Sequence, residues 1–354
     1  MNRPIANADD ASRRRPTIAD VARRAGVSPA LVSFAVNDRP GVSAPTRERI
    51  LTAAKELRWR PSASARALTQ ARTQTVGLVL SRGTDELEVD SFFVRFLSGV
   101  ERTLAQADHA MLLQLVPAAD AGATLGAYER LITAHRVDGF LLTDPELDDP
   151  RFPLLAQAAV PTVIAGRPAA ASPFTWLETE HDRGITLAVE HLAGLGHERI
   201  GFLGGSRAYE HIQRRYMRWR EGMRDRGLAD GPAAFADPDL GAAATRVLQY
   251  EPTAVVCTSD SLASALIRVV RESGRSVPED LSVIGFDDSL LATLASPALT
   301  SVRVDYTAFG AAASAALLAV IDGEDAPVYQ PAPPTLEVRA STTAPGPAAN
   351  VLTR

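Results

Sequence analysis

From Thr75 onward the chain alternates short apolar runs with longer amphipathic stretches, and no other feature limits its possible folds so sharply. The runs TVGLVLS (75–81), AMLLQLV (110–116), GFLLTD (139–144), PTVIAG (161–166), RIGFLGG (199–205), TAVVCTSD (253–260) and LSVIGFDD (281–288) read as buried parallel strands. Between them, stretches such as 93–107 and 184–195 read as helices. This pattern predicts doubly wound sheets with helices on both faces and ligand chemistry at the carboxyl ends of the strands. So many strands exceed one comfortable sheet, so two similar lobes with a cleft between them are expected.

The N-terminal region has a different texture. Residues 1–15 are polar, include Arg13, Arg14 and Arg15, and read as a mobile basic arm. Thr17 with Asp20 three residues on is a helix start, and Ile18, Val21, Ala22 and Ala25 follow at helical spacing before Gly26 interrupts. Ser28-Pro29 restarts the helix, which carries Leu31, Val32, Ala35 and Val36 inward until Asn37-Asp38-Arg39-Pro40-Gly41 stops it. A third helix after Ser43 is expected to bury Ile50, Leu51, Ala54 and Leu57. The tail from Thr342 is rich in Ala and Pro and shows no apolar heptads.

Charge separates the two regions. Residues 1–72 hold fourteen Lys and Arg against six Asp and Glu, a net of +8; the remainder holds twenty-three against thirty-six, a net of −13. A basic head on an acidic body suits a nucleic-acid partner for the head alone. Within 354 residues there is no apolar run of membrane-spanning length and no secretion signal, so a cytoplasmic protein with no membrane partner is expected. The single cysteine, Cys257, reads as a small buried side chain.

Two short helices around Gly26-Val27-Ser28 fit a helix-turn-helix, whose second helix lies in the major groove. Pro29, Ala30, Ser33 and Phe34 then point outward and are candidates for base contact. Thr17, Ser28 and Ser43 sit at helix starts, where a hydroxyl and free backbone N–H groups can bind phosphate, a role compatible with ordinary capping.

The run TIADVARRAGVSPALVSFAVNDRPGVSAPTRERILTAAKELRWRPSASARAL resembles, without a gap, the head and hinge of the lactose-repressor (LacI/GalR) family. The resemblance rests on T-x-x-D-V-A-x-x-A-G-V-S, on V-S-x-x-x-N ending at Asn37, on V-S-x-x-T-R-x-R-I and on a proline before a short hinge helix. It implies a hinge that becomes helical when two subunits meet on a pseudo-palindromic operator, with Leu68 wedged into the minor groove and Ser62 and Ala65 at neighbouring contact positions. Leu31 stands where many members have threonine, and Phe34 where several have a guanine-reading arginine. Phe34 can offer only apolar contact, for example to a thymine methyl.

The resemblance extends over the body through DSFFVRFLSGVE (90–101), HLAGLGHERIGFLGG (191–205), CTSDSLASAL (257–266) and LSVIGFDDSLLATLASPALTSVRVD (281–305), with a final helix near 306–321. It implies a fold class of a small all-α helix-turn-helix head plus an α/β body of two doubly wound lobes resembling periplasmic sugar-binding proteins. The implied domains are an arm (1–15), head (16–60), hinge and linker (61–73), body (74–343) and tail (344–354). Lobe one is expected at 74–173 and 304–335, lobe two at 174–303 and 336–343, with crossings near 174, 303 and 336. Arg215, in the frame R-x-x-x-W with Trp219, stands where members grip ligand hydroxyls, and Asp287 in GFDD is the family's usual accepting carboxylate. Asp90, Phe92, Thr143, Asp144, Trp176, Ser259 and Tyr306 fall at strand ends or pocket positions; Ser259 departs from a frequent asparagine.

The expected protein is thus a homodimeric repressor of carbohydrate-utilisation genes, needing no cofactor or metal, whose operator affinity is switched by a mono- or disaccharide. A purine- or other metabolite-responsive regulator and a sugar-binding protein that does not bind DNA are the alternatives. An enzyme is disfavoured: the six histidines lack metal-ligand spacing, Gly204-Gly205-Ser206 is no nucleophile elbow, and no P-loop or dinucleotide fingerprint occurs.

Overall fold

The computed structural model describes residues 16–59, 72–82, 91–117, 120–236 and 240–346. The chain divides into two compact units, one ending at Thr73 and the other beginning at Gln74. The first fifteen residues, the hinge segment 61–71, Asp90 and the end of the tail lie outside the described residues.

The head is three helices, α1 (Ile18–Ala25), α2 (Pro29–Val36) and α3 (Ala44–Glu56). Asp20 accepts from both the N–H (2.9 Å) and the hydroxyl (2.7 Å) of Thr17, which fixes the start of α1. Gly26, at φ +65°, ends α1 in the left-handed region where a side chain is disfavoured. One turn residue later, the Ser28 hydroxyl accepts from the Leu31 N–H at 3.2 Å, and Pro29 sits at the first helical position, where its missing N–H costs nothing. Val21, Ala22, Ala25, Val32, Ala35, Ile50, Ala53 and Ala54 form the head core. Leu51, expected inside, is 48% exposed: the inward stripe of α3 runs through 50, 53, 54 and 57, and Leu51 lies one helical step beyond it. Leu31 is likewise only half-buried.

The body holds two sheets. Lobe one orders its strands β2 (Ala110–Val116), β1 (Thr75–Ser81), β3 (Gly139–Thr143), β4 (Thr162–Ala165) and β5 (Thr175–Leu177), all parallel. Helices α4 (Ser91–Gln106), α5 (Ala121–Thr133) and α6 (Arg151–Gln157) connect the first four strands. Lobe two carries β6 (Ile200–Gly204), β7 (Ala233–Phe235), β8 (Ala254–Cys257), β9 (Ser282–Phe286), β10 (Thr300–Arg303) and β11 (Thr335–Glu337), ordered β11-β10-β9-β8-β6-β7 with only the β10–β11 pair antiparallel. Its helices are α7 (His181–Gly194), α8 (Glu210–Arg224), α9 (Leu240–Leu248), α10 (Asp260–Glu272) and α11 (Leu290–Leu294). Helix α12 (Tyr306–Asp322) returns to lobe one and packs on α4, where Gly99 meets the Thr307 carbonyl and Gly310 the Phe96 carbonyl; any side chain at either glycine would push the helices apart. Strand β5 pairs with β4, so the first crossing follows Leu177 rather than lying near 174.

Buried polar groups are tied down. His197 bonds Thr253 Oγ1 (3.0 Å) through Nδ1, and Ser282 Oγ (3.1 Å) and the Thr343 carbonyl (2.8 Å) through Nε2, pinning the chain end to the sheet. Burial pushes the Cys257 thiol well up, as befits a core residue.

Candidate nucleic-acid interface and interlobe cleft

On the head, Pro29 and Ala30 are exposed, Ser33 is half-buried and Phe34 is 39% exposed, so the outer face of α2 carries no charged side chain. Asn37 donates to the Ser33 carbonyl at 2.8 Å and closes the end of α2. Ser43 donates to Thr46 Oγ1 (2.9 Å) at the start of α3, and the Thr17 hydroxyl is spent on Asp20. What these starts leave for an anion are backbone N–H groups. Ser62, Ala65 and Leu68 lie outside the described residues.

In the body, the carboxyl ends of β1, β3, β6, β8 and β9 face one another across the lobes. Arg215, buried on α8, donates through Nη1 to the Thr258 carbonyl (2.8 Å) and lies 3.8 Å above the Phe286 ring. Its Nε finds no partner among the described residues, leaving a buried donor free. Tyr306 donates to Asp287 Oδ1 at 2.7 Å, with an Arg215 Nη2 at 3.5 Å from its hydroxyl, and its ring takes the edge of Phe92 (centroids 4.9 Å apart). Burial raises the Asp287 carboxyl to about 6, against the pull of Arg215.

A second polar group faces this one. Asp144, at φ +48°, takes Arg82 at 2.8 Å, and His211 stands 3.9 Å away. Burial is the largest influence and would raise the Asp144 carboxyl, but the charge and hydrogen bond of Arg82 together with His211 and Arg151 outweigh it and leave it below the usual range. Burial also drives His211 down to about 3, so its imidazole is neutral. Thr143 is buried beside Asp144, its carbonyl accepting from Arg151 at 3.1 Å.

Two expected pocket residues sit elsewhere, and a third is engaged as a helix cap. Trp219 is fully enclosed in the lobe-two core against Phe202 and Tyr216, because the large apolar ring gains more from that core than from a polar cleft. Trp176 lies on edge strand β5, 40% exposed, with the Arg167 guanidinium 5.6 Å from its ring. Ser259 caps α10, accepting from the Leu262 N–H at 3.2 Å and sharing a bond with Ser261. Asp90 lies outside the described residues.

The sequence reading passed over Arg82, Arg95 and His211. Arg82 directly follows the carboxyl end of β1, the position the strand-end rule marks. His211 stands four residues before Arg215 and therefore shares its helical face. Together the cleft offers two guanidinium groups, two carboxylates and aromatic edges, a set that exchanges hydrogen bonds with a hydroxyl-rich molecule.

Residues 17–62 match the family model of bacterial regulatory proteins, lacI family, and residues 189–342 match a periplasmic binding protein-like domain. The HTH-type transcriptional regulator CelR of Thermobifida fusca is 34% identical over 321 residues, spanning 88% of this chain and 94% of CelR. The chain belongs to the lacI family. As a lacI-family member it is a DNA-binding transcriptional regulator, with the helix-turn-helix head and two-lobed body of that family. A solved CelR–cellobiose complex superposes on this lacI-family fold with a TM-score of 0.71 at 30% identity, covering 92% of this chain and all of that one. A lac repressor dimer bound to operator and the anti-inducer ONPF superposes with a TM-score of 0.80 at 26% identity, covering 94% of this chain and all of that one.

Proposed function

We propose that the protein is a cytoplasmic, dimeric repressor whose operator affinity is switched by a neutral mono- or disaccharide held between the lobes. The observation that carries the sugar reading is the buried cluster of Arg215, Asp287 and Tyr306, with one guanidinium N–H unpartnered and a carboxylate whose pKa stands at about 6. A sugar hydroxyl accepts from the first and donates to the second, satisfying both at once. Phe92, Thr143, Asp144 and the neutral His211 complete the pocket. The CelR–cellobiose complex supports a carbohydrate ligand for this architecture. A binding role rather than an enzymatic one agrees with the relatives, which are transcriptional regulators, and with histidines such as His197 being engaged in structural contacts.

The head reads DNA through α2. Phe34, Pro29 and Ala30 offer apolar contact, Ser33 a hydroxyl, and Leu31 a partly accessible side chain, so discrimination at these positions favours thymine methyls over guanine edges. Thr17, Ser28, Asn37 and Ser43 orient the phosphate-facing helix ends, and Ser62, Ala65 and Leu68 serve the hinge. Dimerisation is supported by two uncovered apolar surfaces: Leu290 and Leu294 on α11, 70% and 72% exposed, and Leu113 and Leu115 on edge strand β2.

The test is a fluorescence-polarisation titration on pseudo-palindromic DNA from upstream of the gene, repeated with a panel of sugars and purines. Sequence-selective binding altered by one neutral sugar is expected. Selective binding altered only by a purine, or by no compound, refutes the sugar reading.

A further inference from the structure

We infer that Arg95 is a positioning residue that couples the Asp287 carboxylate to closure of the two lobes. This rests on the reading of Asp287 as an effector contact, and its central test does not. Arg95 stands in the second turn of α4, in lobe one. Its Nη1 donates to the Asp287 carbonyl at 2.9 Å and its Nη2 to the Asp288 carbonyl at 2.6 Å, both in lobe two. A guanidinium presents two parallel N–H groups at a fixed spacing, so it is suited to grip two successive carbonyls; a lysine ammonium is a single point.

The gripped turn is unusual. Asp287 has φ +99° and Asp288 φ +47°, both in the left-handed region that non-glycine residues avoid. Lobe two holds this turn from behind. The Asp287 N–H donates to the Val302 carbonyl (2.8 Å) and the Asp288 N–H to Ser301 Oγ (3.0 Å). The Asp288 carboxylate takes Arg303 (2.7 Å) and Arg339 (2.6 Å). The turn therefore moves with lobe two as a rigid piece. It directs its Asp287 carboxylate to the Tyr306 hydroxyl, and its two carbonyls to the opposite lobe.

Helix α4 makes the matching connection. Phe92, three residues before Arg95 and so on the same face, meets the Tyr306 ring whose hydroxyl donates to Asp287. The first turns of α4 thus hold both sides of the carboxylate's setting. Elsewhere across the lobes, backbone contacts join Glu146 to Tyr209, the Leu147 N–H to the Ala208 carbonyl (3.3 Å) and the Glu210 N–H to the Pro145 carbonyl (3.0 Å), while His211 stands 3.9 Å from Asp144 and the Arg82 guanidinium 5.1 Å from the Tyr209 ring. Separating the lobes breaks the Arg95 fork, and a ligand that shifts the Asp287 turn shifts the fork's acceptors with it.

The experiment places spin labels on exposed Glu129 of α5 and Arg224 of α8 in the full-length protein, each through an introduced cysteine; buried Cys257 does not react. Interlobe distances are measured by double electron–electron resonance in the parent protein, R95Q and R95K without ligand. Expected is a longer, broader distribution in R95Q, a partial return in R95K, and melting temperatures within about 2 °C of the parent. Superimposable distributions in parent and R95Q would overturn the proposal. Cellobiose titration adds a second reading: R95Q is expected to bind at least about tenfold more weakly, whereas equal affinity for parent and R95Q contradicts coupling. If cellobiose fails to bind the parent protein, that result bears on the sugar reading, and the distance measurement still decides the role of Arg95.

Discussion

Asp287→Asn should stabilise the ligand-free protein at pH 7.5 while abolishing its response to effector. The Asp287 carboxyl is buried and raised to about 6 from an ordinary value of 3.8, with desolvation as the main cause and the Arg215 charge opposing it. Asp260 nearby adds to the rise, and Tyr306 and Arg95 act against it. Because the folded pKa exceeds the unfolded one, the folded state binds the proton more tightly. The penalty is therefore absent below about 3.8 and fully present above about 6. A shift of about two pH units is worth about 3 kcal/mol. Asparagine removes the charge but still accepts from Tyr306, losing roughly 1 kcal/mol of charge-assisted bonding. The net gain at pH 7.5 is about 1–2 kcal/mol, or roughly 2–5 °C in melting temperature for a unit of this size. Urea titrations of parent and variant at pH 7.5 and 4.5 check this: the gain should vanish at the lower pH, where the parent carboxyl is mostly protonated. A variant less stable than the parent at pH 7.5, by the same amount at both pH values, would refute the reasoning.

Gly26→Ala puts a side chain at φ +65° with open space around it, so the cost of roughly 1 kcal/mol is purely conformational; calorimetry should show the head melting several degrees earlier. Phe34→Ala should lower discrimination for the preferred operator by about tenfold in competition polarisation while leaving melting temperature unchanged, since Phe34 is partly exposed. His197→Gln should cost about 2 kcal/mol at pH 7.5 by leaving Thr253, Ser282 and the Thr343 carbonyl incompletely paired. Burial holds the His197 pKa below its ordinary value, so the parent loses stability as pH falls below about 6.5, and the urea-measured gap should narrow there. A sugar phosphate should bind at least about tenfold more weakly than its parent sugar in calorimetry, because Asp144 and Asp287 repel the anion as much as Arg82 and Arg215 attract it, and its dehydration goes unrewarded.

The long buried strands were legible because a parallel strand covered on both faces must be apolar along its whole length. TVGLVLS was placed residue for residue and is buried as expected; AMLLQLV has the expected bounds but, as an edge strand, leaves Leu113 and Leu115 exposed instead of buried. Strands β5, β7, β10 and β11 were not, since the first, second and fourth are three residues long and β10 (TSVR) has a single apolar residue, so they are strands only because a neighbour pairs with them. Leu51 was misplaced by one helical step, an error that periodicity allows wherever apolar residues adjoin. In the cleft, Asp287, Tyr306 and Arg215 could be named from motif position, and the structure brings them together. Trp176 and Trp219 could not be assigned, because the sequence gives an aromatic residue's strand or helix but not which face meets the cleft. Arg95 and Arg82 escaped because their partners, Asp287 and Asp144, lie far away in the chain.

On the proposed reading of Asp287 as an effector contact, the energetic state of the cleft also accounts for a small molecule moving a DNA-binding head. A regulatory coupling of 1–3 kcal/mol suffices for a 5–150-fold change in affinity. The Asp287 carboxylate holds a reserve of about that size, in charge that Tyr306 and Arg215 stabilise incompletely. A ligand hydroxyl that donates to it recovers part of the reserve only in the arrangement where hydroxyl and carboxylate meet, so binding energy becomes preference for one lobe angle. A better-satisfied cleft would make a more stable protein and a poorer switch, since a ligand with equal affinity for both arrangements shifts neither. The strained turn at Asp287, with its buried charge, is then the element on which the ligand acts, and its bonds to Val302 and Ser301 and those of Asp288 to Arg303 and Arg339 keep that turn from relaxing by itself.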